Sequence, residues 1–581
     1  MDQGLSFLLI FMLFSTHIHA CIQTERTSLV SFAQSLSSPS FNWTSGNCCH
    51  WEGITCNEAG RVTNLSLSSK DLKLQGDIFP PSSLGNLTHL TYLNLSHNSL
   101  SGVLSDRIVN LANLAILDLR FNNFRGMLPL HFGKLSKLKF LLLQFNNFTG
   151  SLPQSLMNCT NLIELNLGVN HFEGDISTYN FSKLSMLSRL DILNNQFTGT
   201  FPTSLYSCKS LKAIRFRKND IGGQIQPEIL SLKSLSFLAL SFNRLTNITG
   251  AMRILMHCES LIFLCFSSSF EEQVPADFGL AGSDGFQNLR FLDLSGCHLS
   301  GPIPVWLSKL KNLKILNLYS NKLTGTIPSL LGTLPKLFYI DLSFNLISGY
   351  FPKQLCRLPM LVSEQTAANV DHHNYLELAI YFTTDGGKTT QYNSFTFFPP
   401  SIFLQGNNIN GTIPIEIGQL RLLRQLRLAN NSISGTIPDQ ISNLKNMEVL
   451  DLSMNHLSGE IPASFTSLNF LSRFDVSYNN LQGPIPSSTQ LQSFDASAFE
   501  GNPKLCGAPL PNECQTTADS DAADKNNQDA DMMEHQIPWF YFSVSLGFIV
   551  GFWGVCGPVL LMNKWKYLDN VAERIRIILN S

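Results

Sequence analysis

One motif returns along most of this chain at a nearly fixed interval. Leu444 to Pro462 reads LKNMEVLDLSMNHLSGEIP, and near-copies of it fill most of the sequence. Asn321 and Asn345 stand 24 residues apart, as do Asn431, Asn455 and Asn479. In VLDLSMN, strand alternation turns Leu450 and Leu452 inward and leaves the side chains between them outside. Asn455 turns the chain and offers its amide to the backbone of the neighbouring coil, while Gly459 and Pro462 shape the return path. A coil this small cannot bury its own apolar face, so coils must stack.

The expected fold is therefore an α/β leucine-rich-repeat solenoid, a right-handed superhelix with a parallel β-sheet on its concave face. Repeats run over 61–356 and resume over 399–496, with markers at Asn98, Asn122, Asn146, Asn170, Asn195, Asn219 and Asn243. The count is about 16 coils. The array becomes irregular over 267–284, where the expected asparagine is missing, and Cys297 takes that slot in FLDLSGC. Cys159, Cys208 and Cys258 each open a coil and read as buried thiols filling small packing slots.

A solenoid has two apolar ends, and the cysteines cluster there. Residues 21–60 carry Cys21, Cys48, Cys49 and Cys56 and read as a stapled N-terminal cap; residues 497–515 carry Cys506 and Cys514 and read as a second. Four cysteines allow three pairings, of which Cys48 with its neighbour Cys49 is the least favoured. Zinc is the alternative for this cluster, but the spacing matches no finger. No metal or cofactor site is expected elsewhere: His372 and His373 read as solvated polar residues. The thirteen cysteines suit an oxidising, secreted environment.

Between Asn345 and Asn407 the interval is 62 residues, so about 38 are extra to one coil. This insertion, 357–398, holds the alternating YLELAIYF and a turn signal at Asp385-Gly386-Gly387, which predicts a small strand pair folded against the concave face. Residues 1–20 read as a secretory signal despite lacking an early Lys or Arg. Residues 516–538 form an acidic stalk. Trp539 to Met562 carries no formal charge and is long enough to span a bilayer; Lys564 and Lys566 then place the tail, 563–581, in the cytoplasm. The topology is a single-pass type I plasma-membrane protein with its solenoid outside. Ser543, Gly547 and Gly551 form a small-residue row suited to helix pairing.

The 40 basic and 42 acidic residues nearly balance, giving no basic excess for nucleic acid. No catalytic constellation is apparent, and no kinase fits in the tail, so an enzyme is not expected. Ten glycosylation sequons fall at Asn42, Asn64, Asn86, Asn94, Asn147, Asn158, Asn180, Asn247, Asn410 and Asn430. A buried Cys159 would disfavour Asn158, and a glycan at Asn430 would obstruct the concave strand. The sharpest binding feature is IRFRKN, from which Arg215, Arg217 and Lys218 project onto the concave face; Arg424 and Arg427 do the same near the insertion. Guanidinium forks suit carboxylate or sulfate. Replacing Arg215 and Arg217 together should weaken an acidic peptide and leave folding intact. Phe121, Phe145, Phe242, Tyr319 and Phe344 precede their asparagines, as packing caps or as the apolar floor of a peptide groove.

With these residues in view, the chain resembles plant extracellular leucine-rich-repeat receptors. The L-x-G-x-I-P segments look like the plant-specific repeat, and the insertion followed by four repeats looks like their island domain. CCHWEGITC, YLELAIYF, QYNSFTFFPPSIFLQGNN and FEGNPKLCG look most like the phytosulfokine and tyrosine-sulfated-glycopeptide receptors, without the kinase, as in receptor-like proteins. The resemblance implies ligand contacts at Tyr375, Tyr381, Phe382, Tyr392 and Phe395, and a membrane receptor kinase or co-receptor kinase as partner. It implies a receptor for a secreted peptide, in growth or development. The alternatives are an immune receptor-like protein sensing a microbial product, or an extracellular inhibitor of a wall-degrading enzyme.

Overall fold

The spacing of the leucines acts coil by coil. Val449–Asp451 is a strand of three residues whose Leu450 is fully buried, as is Leu452 just after it. Leu450 pairs in parallel with Leu426 before it and Phe474 after it. Repetition of this step from Val62–Ser66 to Arg473–Asp475 makes one continuous concave sheet. The computed structural model describes residues 21–37, 43–74, 78–79, 83–363, 375–383 and 389–514. The expected leader, Asn42, the His372-His373 pair, the acidic stalk, the 539–562 span with Ser543, Gly547 and Gly551, and the tail lie outside them. Among the described residues, no helix is long and apolar enough to cross a membrane.

Strands this short form few ladder hydrogen bonds, and the asparagines supply the rest. The Asn455 amide nitrogen donates to Leu428 O at 3.0 Å in the preceding coil, and to Leu452 O at 3.2 Å in its own. Its Oδ1 accepts from Ile433 N at 3.0 Å. One buried side chain thus satisfies backbone groups of two coils, which would otherwise cost about 1–3 kcal/mol each. Asn122 and Asn345 repeat the arrangement. The ladder also passes through the irregular stretch: Ser269 Oγ donates to Leu240 O at 2.7 Å, and Cys297 Sγ to Phe266 O at 3.1 Å. Its last rung is Asn502, inside the C-terminal cap, bonded to Val476 O and Leu481 N.

The L-x-G-x-I-P segments do more than return the chain. They form a second parallel sheet beside the first, in runs of six and nine strands. Gly435 pairs with Leu457, and Gly459 has φ +77°, with a Cβ there only 2.9 Å from Thr436 Cγ2. Pro462 then leads into the 3₁₀ turn Ala463–Ser467. Between the two runs lie a separate strand pair, Gly222–Gly223 with Arg244–Leu245, and the helix Ile248–Leu255, which replaces a turn and is capped by the Asn247 side chain.

Both ends are closed as the cysteines foretold. Cys21 bonds Cys48, Cys49 bonds Cys56 and Cys506 bonds Cys514. In the N-terminal cap, helix Gln23–Gln34 buries Leu29 and Phe32, and Trp43 stacks on Trp51 at 5.3 Å. Cys159, Cys208 and Cys258 are free and buried; burial pushes the Cys159 thiol up to about 12.

Candidate functional site

The insertion leaves the 3₁₀ turn Lys353–Arg357 and returns as an antiparallel hairpin, Tyr375–Thr383 with Thr389–Ser394. Ile380 sits opposite Tyr392 in its register. Alternation gives the hairpin a buried face carrying Leu378 and Ile380. That face covers the concave sheet, and two arginines from consecutive coils hold it there. Arg189 Nε donates to Glu164 at 2.8 Å, with Glu377 of the hairpin 3.6 Å from its guanidinium. Arg215 Nε donates to Asp191 Oδ1 at 2.9 Å, and its guanidinium also meets Asp191 Oδ2 and the Ala379 carbonyl of the hairpin.

Beneath the hairpin, the sheet presents aromatic rings from successive coils. Phe237 stacks on Phe263 at 4.1 Å and Phe263 on Phe291 at 4.1 Å. Phe291 meets Phe395 and Phe398 at 6.4 and 6.3 Å, and Phe398 stacks on Tyr392 at 4.1 Å. Phe237, Phe263, Phe291, Phe398 and Tyr392 wall a cavity of about 620 Å³ that runs from Arg215 and Arg217 to Arg427. Its other side is polar, with Ser267, Ser268, Ser295 and Ser320. Cavities with apolar walls and a few directed polar groups are suited to binding.

The charged groups of this cavity differ in how they are engaged. Arg217 lies 5.0 Å over the exposed Phe242 ring. Among the described residues its guanidinium makes no hydrogen bond or ion pair, and burial lowers its pKa. Asp293 is buried; burial raises its carboxyl pKa, opposed by Ser295 Oγ at 2.7 Å and by Cys265 Sγ at 3.5 Å. Burial also pushes the Cys265 thiol up to about 12, so it is no nucleophile at neutral pH. Arg427 lies 4.9 Å over Phe403.

The expected binding residues separate on this map. Arg217, Phe242, Arg427 and Tyr392 line the cavity. Arg215 also reaches it, but the expectation that it projects as freely as Arg217 is corrected: it is 6% exposed, and its fork is spent on Asp191 and the hairpin. Lys218 is half-buried at a left-handed turn, φ +58°. Arg424 lies outside the cavity, paired with Glu448 at 2.7 Å. Phe395 is buried against Phe291 and Lys314. Tyr375, Tyr381 and Phe382 are placed by the strand's backbone, opposite Ser394, Gln391 and Thr390.

Phe121 and Phe145 do not belong to the cavity; with His97 they form a separate stack, each step 4.3 Å. The Phe237–Phe263–Phe291 wall was missed, although LSFLAL, LIFLCF and LRFLDL put phenylalanine in the same slot of three adjacent coils. The LDL aspartates prove to be turn caps: Asp341 Oδ1 accepts from Ser343 N at 3.0 Å.

Fold and site together define a leucine-rich-repeat solenoid with a roofed concave cavity. Family models agree: residues 22–57 match the leucine rich repeat N-terminal domain, 40–215 a leucine-rich repeat region, and 287–347 and 421–481 the leucine rich repeat. Receptor-like protein 3 of Arabidopsis thaliana is 53% identical over 328 residues, covering 56% of this chain and 43% of that protein. The LRR protein LIC12759 of Leptospira interrogans is 28% identical with a TM-score of 0.54, covering 72% of this chain and 91% of that one. The PEPR1–AtPEP1 structure shares the fold at 24% identity, TM-score 0.50, covering 80% of each chain. The matched segments are leucine-rich repeats, and the chain is similar to a plant receptor-like protein. It spans less than half the length of Receptor-like protein 3.

Proposed function

We propose that this protein is a plasma-membrane receptor that captures a secreted peptide outside the cell and signals through a partner receptor kinase. The observation that carries this reading is the Arg217 guanidinium at the aromatic-walled cavity: among the described residues it makes no hydrogen bond or ion pair, so it has no directly bonded anion, and the Asp293 carboxyl acts on it only through space. An acidic or sulfated group on the peptide would supply that anion, and apolar side chains beside it would pack on the phenylalanine wall. The membrane span and the kinase partner rest on the sequence: a charge-free stretch, a basic flank, and a row of small residues for helix pairing.

Affinity capture from plant extracellular fluid tests the reading. The full chain should retain an acidic peptide that the Arg217→Ala variant releases, because a lost charge-assisted hydrogen bond is worth about 1.5–3 kcal/mol, or about 10- to 150-fold in affinity. Identical retention by both proteins would refute it.

A further inference from the structure

We propose that Asn410 carries an N-linked glycan whose first sugar packs on the exposed ring of Tyr350. The inference rests on the extracellular reading above. On the second sheet, Tyr350 pairs in register with Asn410, so the two side chains leave neighbouring strands on the same face. Tyr350 is 73% exposed. One exposed aromatic ring alone calls for no explanation; its position does.

In neighbouring coils the residue at this position is small: Thr326 lies over Gly349, Thr412 over Gly435 and Thr436 over Gly459. Tyr350 instead lies across Gly411, close enough that a Cβ there would overlap its ring. Gly411 is the middle residue of the sequon Asn410-Gly411-Thr412. The ring is thus spread over the backbone of Gly411, the residue that follows the one that would bear the sugar. The C–H face of a pyranose is apolar, and an aromatic face is its electrostatic complement.

The Asn410 amide is also available. It is exposed and, among the described residues, makes no side-chain hydrogen bond. Three of the other sequons are engaged in the fold: Asn247 accepts from Gly250 N at 2.9 Å, Asn86 donates to Ser28 Oγ at 3.3 Å, and the Asn64 Oδ1 is buried. The transfer itself needs a polyprenyl-pyrophosphate-linked oligosaccharide. The sugar C1–O bond to pyrophosphate breaks, the bond from C1 to Asn410 Nδ2 forms, and one amide proton leaves with the pyrophosphate. A glycan seated this way closes the Tyr350 face to protein partners.

The test uses the full chain made in a glycosylating eukaryotic host, with site occupancy read by mass spectrometry and tyrosine nitration rates by tetranitromethane. Three forms are compared: intact, trimmed by an endoglycosidase to the single core sugar, and Asn410→Gln. Asn410 should be occupied, and Tyr350 should nitrate several-fold more slowly in the first two forms than in the third. Tyr478, half-exposed on another coil, should react alike in all three. Equal Tyr350 rates, or a bare Asn410 beside other occupied sequons, would overturn this inference alone. A protein bare at every sequon would overturn the extracellular reading with it.

Discussion

Arg215 joins two parts of the chain 164 residues apart, and its removal should have two separable effects. Arg215→Ala deletes the donor to the Ala379 carbonyl and leaves Asp191 buried, still bonded only to Leu193 N at 3.0 Å among the contacts described for it. Breaking a buried ion pair by removing one partner costs about 3–5 kcal/mol, and the residual Leu193 bond puts this site near 3. The freed Ala379 carbonyl adds a local term of about 2 kcal/mol to hairpin opening. Hydrogen exchange across 375–383 should therefore quicken by about 30-fold. Combining Arg215→Met with Asp191→Asn should recover much of the global stability while the hairpin stays labile, because nothing replaces the bond to Ala379. Arg189→Ala removes a more exposed pair with Glu377, worth at most about 1 kcal/mol, and should quicken exchange less than tenfold. If hairpin exchange is unchanged in Arg215→Ala, the hairpin is not held by this contact and the reasoning fails.

Three further outcomes are expected. Asn455→Ala should lower unfolding free energy by about 3 kcal/mol in urea titration, with the exchange increase centred on its own and the preceding coil, since Leu428 O and Ile433 N lose their partner. Cys297→Ser should be nearly neutral and Cys297→Ala should cost about 1 kcal/mol by the same titration, because only serine keeps a donor for Phe266 O. Burial raises the Asp118 carboxyl to about 6 from its ordinary 3.8, so the folded protein holds this proton more tightly than the unfolded chain. Its contribution is complete below the ordinary value and is lost as pH rises through 6; Asp118→Asn should remove up to about 3 kcal/mol of pH dependence between 4 and 6, read from stability against pH.

Much of the coil was legible because its determinants are local. Leu450, Leu452 and Asn455 act within one repeat and its neighbour, and alternation in YLELAIYF reports a strand wherever that strand finally lies. Arg215 was misread because its burial depends on where the hairpin docks, which no repeat period encodes. Its expected paired replacement with Arg217 is therefore unsafe as a test: Arg215 carries the roof, whereas the Arg217 guanidinium makes no hydrogen bond or ion pair among the described residues. The second sheet was missed because Gly459 and Pro462 signal a turn as readily as a strand. Ser269 was missed because a hydroxyl can replace an asparagine amide for one bond while sharing none of its sequence signature. Cysteine spacing left the cap pairing open, and three-dimensional proximity chose Cys21 with Cys48.

The most direct test of a ligand cavity beneath the hairpin is a hydrogen-exchange footprint of the full chain with its captured peptide. The account predicts protection across the strands from Phe237 to Asp293 and in the hairpin strand Thr389–Ser394. Protection confined to the open coils around Tyr92, Phe121 and Phe145, with the hairpin unaltered, would contradict it.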